Sequence, residues 1–161
     1  RFVKGVSGQN LDELAREPLW EEGLDYNHGT GHGVGYLLNV HEGPQRFQWR
    51  ITEASGNVPL EEGMVLSNEP GIYLEGKFGI RHENLVLCRM GEKNGHGQFM
   101  YLEPLTMVPF DRDAVLPELL SRRELQWLNA YQEKVYESLS PYFEGEELAW
   151  LRRATKELSH A

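Results

Sequence analysis

The chain has 161 residues, 40% of them hydrophobic, and carries a formal net charge of −9 at pH 7. This length and apolar content allow one domain with a hydrophobic core, or one domain with an appendage, and they exclude a disordered chain. The acidic balance excludes a basic binding surface, so we expect no nucleic-acid partner and no anionic membrane as partner.

The cysteine count and the hydropathy of the chain indicate its cellular location. Cys88 is the single cysteine, so an internal disulfide is impossible and a reducing, cytoplasmic location is expected. No apolar run approaches the ~18 residues of a membrane span. The first residue is Arg1 rather than Met, and we expect the sequence to be a piece of a longer protein.

The first 62 residues predict a helix, a strand and a loop in that order. Asn10 is predicted as the N-cap of a helix that kinks or restarts at Pro18 and stops at Gly23. Residues 26–41 alternate glycine and histidine with aliphatic side chains, which predicts a strand. Residues 43–62 predict a loop, with the segment Phe47-Gln48-Trp49-Arg50 at the surface.

Residues 64–88 read as a β-hairpin centred on Gly76. Glu69 and Glu83 are equidistant from that centre, so in an antiparallel ladder they face each other with Cβ atoms roughly 5 Å apart. Two such carboxylates repel unless they share a proton or bind a cation. His28, His32 and His41 precede them on glycine-rich chain, and imidazole beside paired carboxylates favours a divalent metal.

The C-terminal third predicts a last strand and then helices. Residues 90–98 predict a turn and 99–102 a short strand. Ser121 and Glu124 form a capping-box pattern at the start of an amphipathic helix, Pro141 ends that helix, and Gly145 opens another. We expect the aromatic residues of this part to lie in its core or to mark a partner contact: Trp127, Tyr131, Tyr142 and Trp150.

Four ordered motifs and the tail carry a family resemblance. The motifs are His28-Gly29-Thr30-Gly31-His32-Gly33-Val34-Gly35, Val40-His41-Glu42-Gly43-Pro44, Asn68-Glu69-Pro70-Gly71 and Gly79-Ile80-Arg81-His82-Glu83-Asn84. They resemble the second half of the catalytic domain of Xaa-Pro aminopeptidases, in the pita-bread metallopeptidase family M24. The closing segment with two helices resembles the C-terminal extension of the long, multidomain form.

This resemblance implies an α+β fold and a division of the chain. Residues 1–105 would form the C-terminal half of a pita-bread catalytic domain, a curved and mostly antiparallel sheet with helices. Residues 106–161 would form a helical extension. The implied substrates are peptides with proline in the second position.

The resemblance also implies residue roles. His32, Glu69 and Glu83 would be metal ligands, and Glu69 would in addition act as general base or acid. His41 would bond the substrate near the scissile carbonyl, and His28 and Arg81 would line the substrate pocket. The two divalent ions of the full enzyme would be manganese, with zinc or cobalt as other choices.

The sequence departs from the family pattern in the ligand set. The family needs two further aspartates upstream of the histidines, and neither Asp12 nor Asp25 fits them. We therefore expect an incomplete metal site and no activity for the chain alone. The alternative is a metal-free pita-bread module for binding or assembly. Because half of such a sheet lacks its partner half, a homodimer is expected.

Overall fold

A computed structural model describes residues 1–50 and 57–160, which divide into two compact units, Arg1–Thr106 and Met107–Ala161. The described residues of the first unit form helix α1 (Gly8–Glu21) and eight strands: β1 (Phe2–Val3), β2 (Gly31–His32), β3 (Arg46–Phe47), β4 (Val65–Asn68), β5 (Gly71–Leu74), β6 (Phe78–Arg81), β7 (Asn84–Asn94) and β8 (Gly97–Pro104). The second holds helices α2 (Arg122–Leu139) and α3 (Gly145–Ala154), with short 3-10 turns at Arg112–Ala114, Pro117–Leu119 and Ser140–Tyr142. The predicted mixture of helices and antiparallel strands is confirmed.

An antiparallel sheet of order β1-β8-β7-β4 forms the centre of the first unit, beside the two-stranded pairs β2-β3 and β5-β6. One hydrophobic cluster packs against this sheet and includes Phe2, Phe47, Leu60, Leu66, Val86, Cys88 and Met100. Burial raises the pKa of the Cys88 thiol to about 11, so this cysteine is a neutral core residue.

Helix α1 begins earlier than predicted. Its N-cap is Ser7, whose backbone N–H donates to Asn10 Oδ1 at 3.1 Å, so the proposed cap residue Asn10 lies inside the first turn. The helix is continuous through Pro18, and the predicted restart there does not occur. The predicted stop is confirmed, since Gly23 has φ +70° and its N–H donates to Trp20 O at 3.0 Å.

Two predictions for the middle of the first unit are wrong. Of residues 26–41 only Gly31 and His32 are in a strand, and the rest of this glycine-rich segment is irregular. Phe47 lies in the core at 3% exposure rather than in a surface excursion, because β3 pairs with β2. The part of the predicted loop at residues 51–56 lies outside the described residues.

Strands β7 and β8, at the centre of the four-stranded sheet, form one long hairpin. Strand β7 ends at Asn94 and β8 begins at Gly97, and these two residues pair with each other. The turn predicted over 90–98 is therefore confined to Gly95 and His96. The ladder shifts register between Met90 and Lys93, and this irregularity hides the strand periodicity in the sequence.

The second unit confirms the predicted caps. Glu124 N–H donates to Ser121 Oγ, and Ser121 N–H donates to the Glu124 carboxylate. Bonds from the Ser121 side chain and backbone to that carboxylate lower the pKa of Glu124. Pro141 follows the end of α2 and Gly145 starts α3. The expectation of a core position holds for Tyr131, at 9% exposure, and is wrong for the three large exposed side chains Trp127, Tyr142 and Trp150.

Candidate active site

Helix α1 holds the histidine segment through a buried aspartate. Asp12 is fully buried, and its Oδ1 accepts the backbone N–H of Thr30 at 3.1 Å. Its Oδ2 accepts Arg16 Nε at 2.7 Å and the backbone N–H of Trp49 at 2.9 Å. One carboxylate thereby ties the helix to the chain on both sides of the β2-β3 pair.

The Arg16 guanidinium completes this attachment. It is 1% exposed, and besides Asp12 it donates to Asp25 Oδ1 at 2.6 Å, to Tyr26 O at 2.8 Å and to His28 O at 2.5 Å. Burial alone would lower the pKa of Arg16, but the bonds to the two aspartates outweigh it and raise the pKa. A permanent cation therefore fixes the backbone that precedes the histidines.

Asp25 makes the stability of the first unit pH-dependent. Its partial burial alone would raise its pKa, but the Arg16 bond and the Tyr26 N–H lower it. A carboxyl group with a lower pKa in the folded than in the unfolded state stabilises the fold at pH values above its unfolded pKa of about 3.9. That stabilisation is lost as the pH falls through the pKa of the folded state. We expect the midpoint temperature of thermal unfolding to decrease at pH values below about 4. Asp25→Asn should make this decrease at acidic pH smaller. An unchanged dependence of the midpoint on pH in this variant would contradict the role of Asp25.

The predicted carboxylate hairpin keeps one register throughout. Strand β4 pairs with β7 from Val65↔Leu87 to Asn68↔Asn84, and β5 pairs with β6 from Gly71↔Arg81 to Leu74↔Phe78. Every pair is symmetric about Gly76, whose φ of +69° suits the turn. Glu69 and Glu83 fall at the interruption between the two ladders, opposite each other.

In this structure a guanidinium lies between the paired carboxylates. Arg81 Nη1 is 3.4 Å from Glu69 Oε2, and Arg81 Nε is 3.7 Å from Glu83 Oε2. The sequence predicts that a shared proton or a bound cation offsets this repulsion. The arginine side chain is itself a cation that offsets the two negative charges.

His32 and Glu69 converge on one point. His32 Nδ1 lies 2.9 Å from Gly33 O, and because a carbonyl oxygen only accepts, Nδ1 carries the proton. In the neutral ring Nε2 then presents its lone pair to Glu69 Oε1, 3.2 Å away. Two acceptors so close need a cation or a proton between them, and a histidine that donates its other N–H to a backbone carbonyl is typical of metal ligands. These two residues fit a divalent ion.

Backbone pairing makes this approach possible. Glu69 N–H donates to Thr30 O at 2.7 Å, and Gly33 forms a bridge with Leu66. A Cβ on Gly31 would lie 1.9 Å from Ser67 O, so only glycine lets the two segments come this close.

The other two predicted histidines flank the pair. The His41 ring lies 4.3 Å from the His32 ring, edge to face. His28 Nδ1 lies 2.8 Å from Gly29 O and must donate to it, so in the neutral ring His28 Nε2 accepts the Tyr73 hydroxyl at 2.9 Å. Tyr73 was not among the predicted site residues, although it lies on the hairpin between the two glutamates.

A cleft of about 280 Å³ brings most of the predicted residues together. Its lining includes His28, His32, His41, Glu69 and Arg81. Glu83 is not part of that lining, and within residues 1–50 and 57–160 no three His, Cys, Asp or Glu side chains form a group that could hold a metal ion. The predicted third ligand is therefore not assembled with His32 and Glu69 here.

Comparison with known proteins decides the family. The model of metallopeptidase family M24 matches residues 2–90, and the model of the C-terminal region of peptidase M24 matches residues 98–158. The chain belongs to metallopeptidase family M24.

Curated M24 relatives match almost the whole chain. A "Probable Xaa-Pro aminopeptidase P" of Arthroderma otae is 51% identical over 160 residues, covering 96% of this chain and 25% of the relative. The protein of the same name in Fusarium vanettenii is 49% identical over 162 residues, covering 98% and 26%. The chain thus spans about a quarter of the length of the relatives it matches.

A solved M24 structure confirms the fold. X-prolyl aminopeptidase from Caenorhabditis elegans, described as a cytosolic enzyme with a di-nuclear active site, superposes with a TM-score of 0.86 at 40% identity. The match covers 98% of this chain and 26% of that one, so the predicted half of a pita-bread fold with a helical extension is confirmed. Within the described residues, no helix is long and apolar enough to cross a membrane.

Proposed function

We propose that this chain is the C-terminal part of a dinuclear metalloaminopeptidase that hydrolyses the bond between an N-terminal residue and a following proline. The convergence of His32 Nε2 and the Glu69 carboxylate, 3.2 Å apart and opposite Glu83, is the observation that carries the proposal. The names of its relatives support the reaction.

In this proposal the predicted site residues keep the roles that the family resemblance implies. His32, Glu69 and Glu83 would hold the divalent ions, for which we propose manganese. When bound, the ions lower the pKa of the attacking water and stabilise negative charge on the carbonyl oxygen of the substrate. Glu69 takes the proton of that water and delivers it to the leaving amine.

The remaining residues orient the substrate. His41 donates toward the scissile carbonyl, and His28 and Arg81 line the pocket. The Tyr73 hydroxyl fixes the orientation of the His28 ring. For Glu83 to serve as a metal ligand, the Arg81 side chain would have to release the carboxylates that it pairs with now.

We propose that the chain alone does not hydrolyse peptides. Asp12 and Asp25, the two aspartates near the histidines, are both engaged by Arg16 and do not supply the missing ligands. The assignment of 1–105 to the catalytic half and of 106–161 to an extension stays a prediction, as do the homodimer and the cytoplasmic location.

The alternative function, a metal-free binding or assembly module, is favoured by one observation. Arg81 already offsets the charge of both Glu69 and Glu83 at 3.4 and 3.7 Å, so the carboxylates have a partner without an ion. In such a module the cleft would bind a peptide without cleaving it.

Calorimetric titration with Mn²⁺ separates the two functions. We expect the chain to bind one ion weakly and Glu83→Gln to weaken that binding about 10-fold or more, because a ligand charge is lost. Glu75→Gln, the same change at the exposed hairpin tip, should bind like the unchanged chain. Equal affinity in all three proteins would contradict Glu83 as a ligand.

Activity requires the rest of the enzyme. A hybrid in which this chain replaces the matching segment of the Arthroderma otae relative should release the N-terminal residue from Xaa-Pro peptides. A folded hybrid that binds such peptides without cleaving them would favour the binding module.

A further inference from the structure

Ser67 is a buried hydroxyl between the two residues that converge in the cleft. It is fully buried, and its Oγ accepts the backbone N–H of His32 at 3.0 Å. The same Oγ donates to Glu69 Oε1 at 2.8 Å, whereas His32 O is farther away at 3.5 Å. A serine hydroxyl has one proton to give, and here the carboxylate receives it.

The carboxylate oxygen that Ser67 bonds is also the one that His32 faces. Glu69 Oε1 lies 3.2 Å from His32 Nε2, so the Ser67 bond sets the rotation of this carboxylate toward the imidazole. By accepting the His32 N–H, the same hydroxyl also fixes the backbone that carries the ring. A Cβ on Gly31 would lie 1.9 Å from the backbone oxygen of Ser67, so residue 31 has to be glycine for the two segments to stay this close.

We propose that Ser67 is a positioning residue that holds His32 and Glu69 in the mutual orientation needed to bind one divalent ion. Its effect on metal binding rests on the proposed function. The hydrogen-bonded arrangement itself does not. Groups that orient metal ligands in this way typically change metal affinity about 10- to 100-fold when removed.

Amide hydrogen exchange in the metal-free chain tests the arrangement directly. In Ser67→Ala we expect the His32 amide to exchange about 10-fold faster, because it loses its acceptor. The Gly33 amide donates to Gln45 O instead and should keep its rate. Ser67→Thr should restore His32 protection. Ser7→Ala, which removes another buried hydroxyl of the first unit, should leave both amides unchanged.

Mn²⁺ titration of the same proteins tests the consequence. We expect the dissociation constant of Ser67→Ala to rise about 10- to 100-fold and that of Ser67→Thr to return toward the original value. The proposal is overturned if the His32 amide keeps its rate in Ser67→Ala, if both amides accelerate together, or if Mn²⁺ affinity is unchanged. If the unsubstituted chain shows no measurable Mn²⁺ binding, the partial metal site is contradicted. The exchange rates of the two amides would then decide whether Ser67 positions His32.

Discussion

Glu69→Gln in the hybrid enzyme is expected to lower kcat for an Xaa-Pro peptide by about 10²- to 10⁴-fold. Glutamine has nearly the same shape but cannot take a proton from water, and its neutral oxygen is a poorer ligand. KM should change less than kcat, because Arg81 and the histidines still line the pocket.

Steady-state kinetics with a proline-containing peptide measures this effect, with Glu75→Gln as the matched change on the same hairpin. The control should retain full activity, since Glu75 is exposed at the turn. A Glu69→Gln hybrid with unchanged kcat would remove Glu69 from the reaction, whatever the metal content of the protein.

Arg16→Ala is expected to destabilise the first unit by about 3–5 kcal/mol, the cost of leaving one partner of a buried ion pair alone. The substitution leaves Asp12 fully buried without its guanidinium and frees the carbonyls of Tyr26 and His28. The histidine segment should lose its attachment to α1 as a result.

Reactivity of the Cys88 thiol measures this destabilisation in the first unit alone. The thiol is the only one in the chain and is fully buried, so its modification across a urea series reports opening of that core. Arg89→Ala serves as control, because the exposed Arg89–Glu103 pair should cost less than about 1 kcal/mol. A loss of similar size in both variants would show that the buried network adds no more than a surface pair.

Local patterns predicted much of the fold. The hairpin register follows from the symmetric spacing of Glu69 and Glu83 about Gly76, and the α2 cap follows from Ser121 and Glu124. Both depend on residues close in sequence or paired across one turn, which is why the sequence alone suffices.

Long-range contacts account for what was missed. In helix α1 the apolar Leu14 is 64% exposed, while the charged Asp12 and Arg16 are buried. Their burial depends on backbone groups 10 to 37 residues away in the chain, such as Tyr26 O and the Trp49 N–H. A charged pair spaced i,i+4 on a helix is usually a surface pair, so the sequence carries no signal of this role. Tyr73 and Ser67 were missed because their contacts with His28 and His32 also join residues far apart in the sequence.

The continuous register of the hairpin fixes which side chains face each other in the cleft. Side chains alternate between the two faces of a strand, so a slip of one residue between β5 and β6 would turn Arg81 and Glu83 away from Glu69 while leaving every ligand in the sequence. A slip of two residues would return them to the same face but no longer opposite Glu69. A sequence can therefore keep all the motifs and still lack the geometry when its turn sets another register.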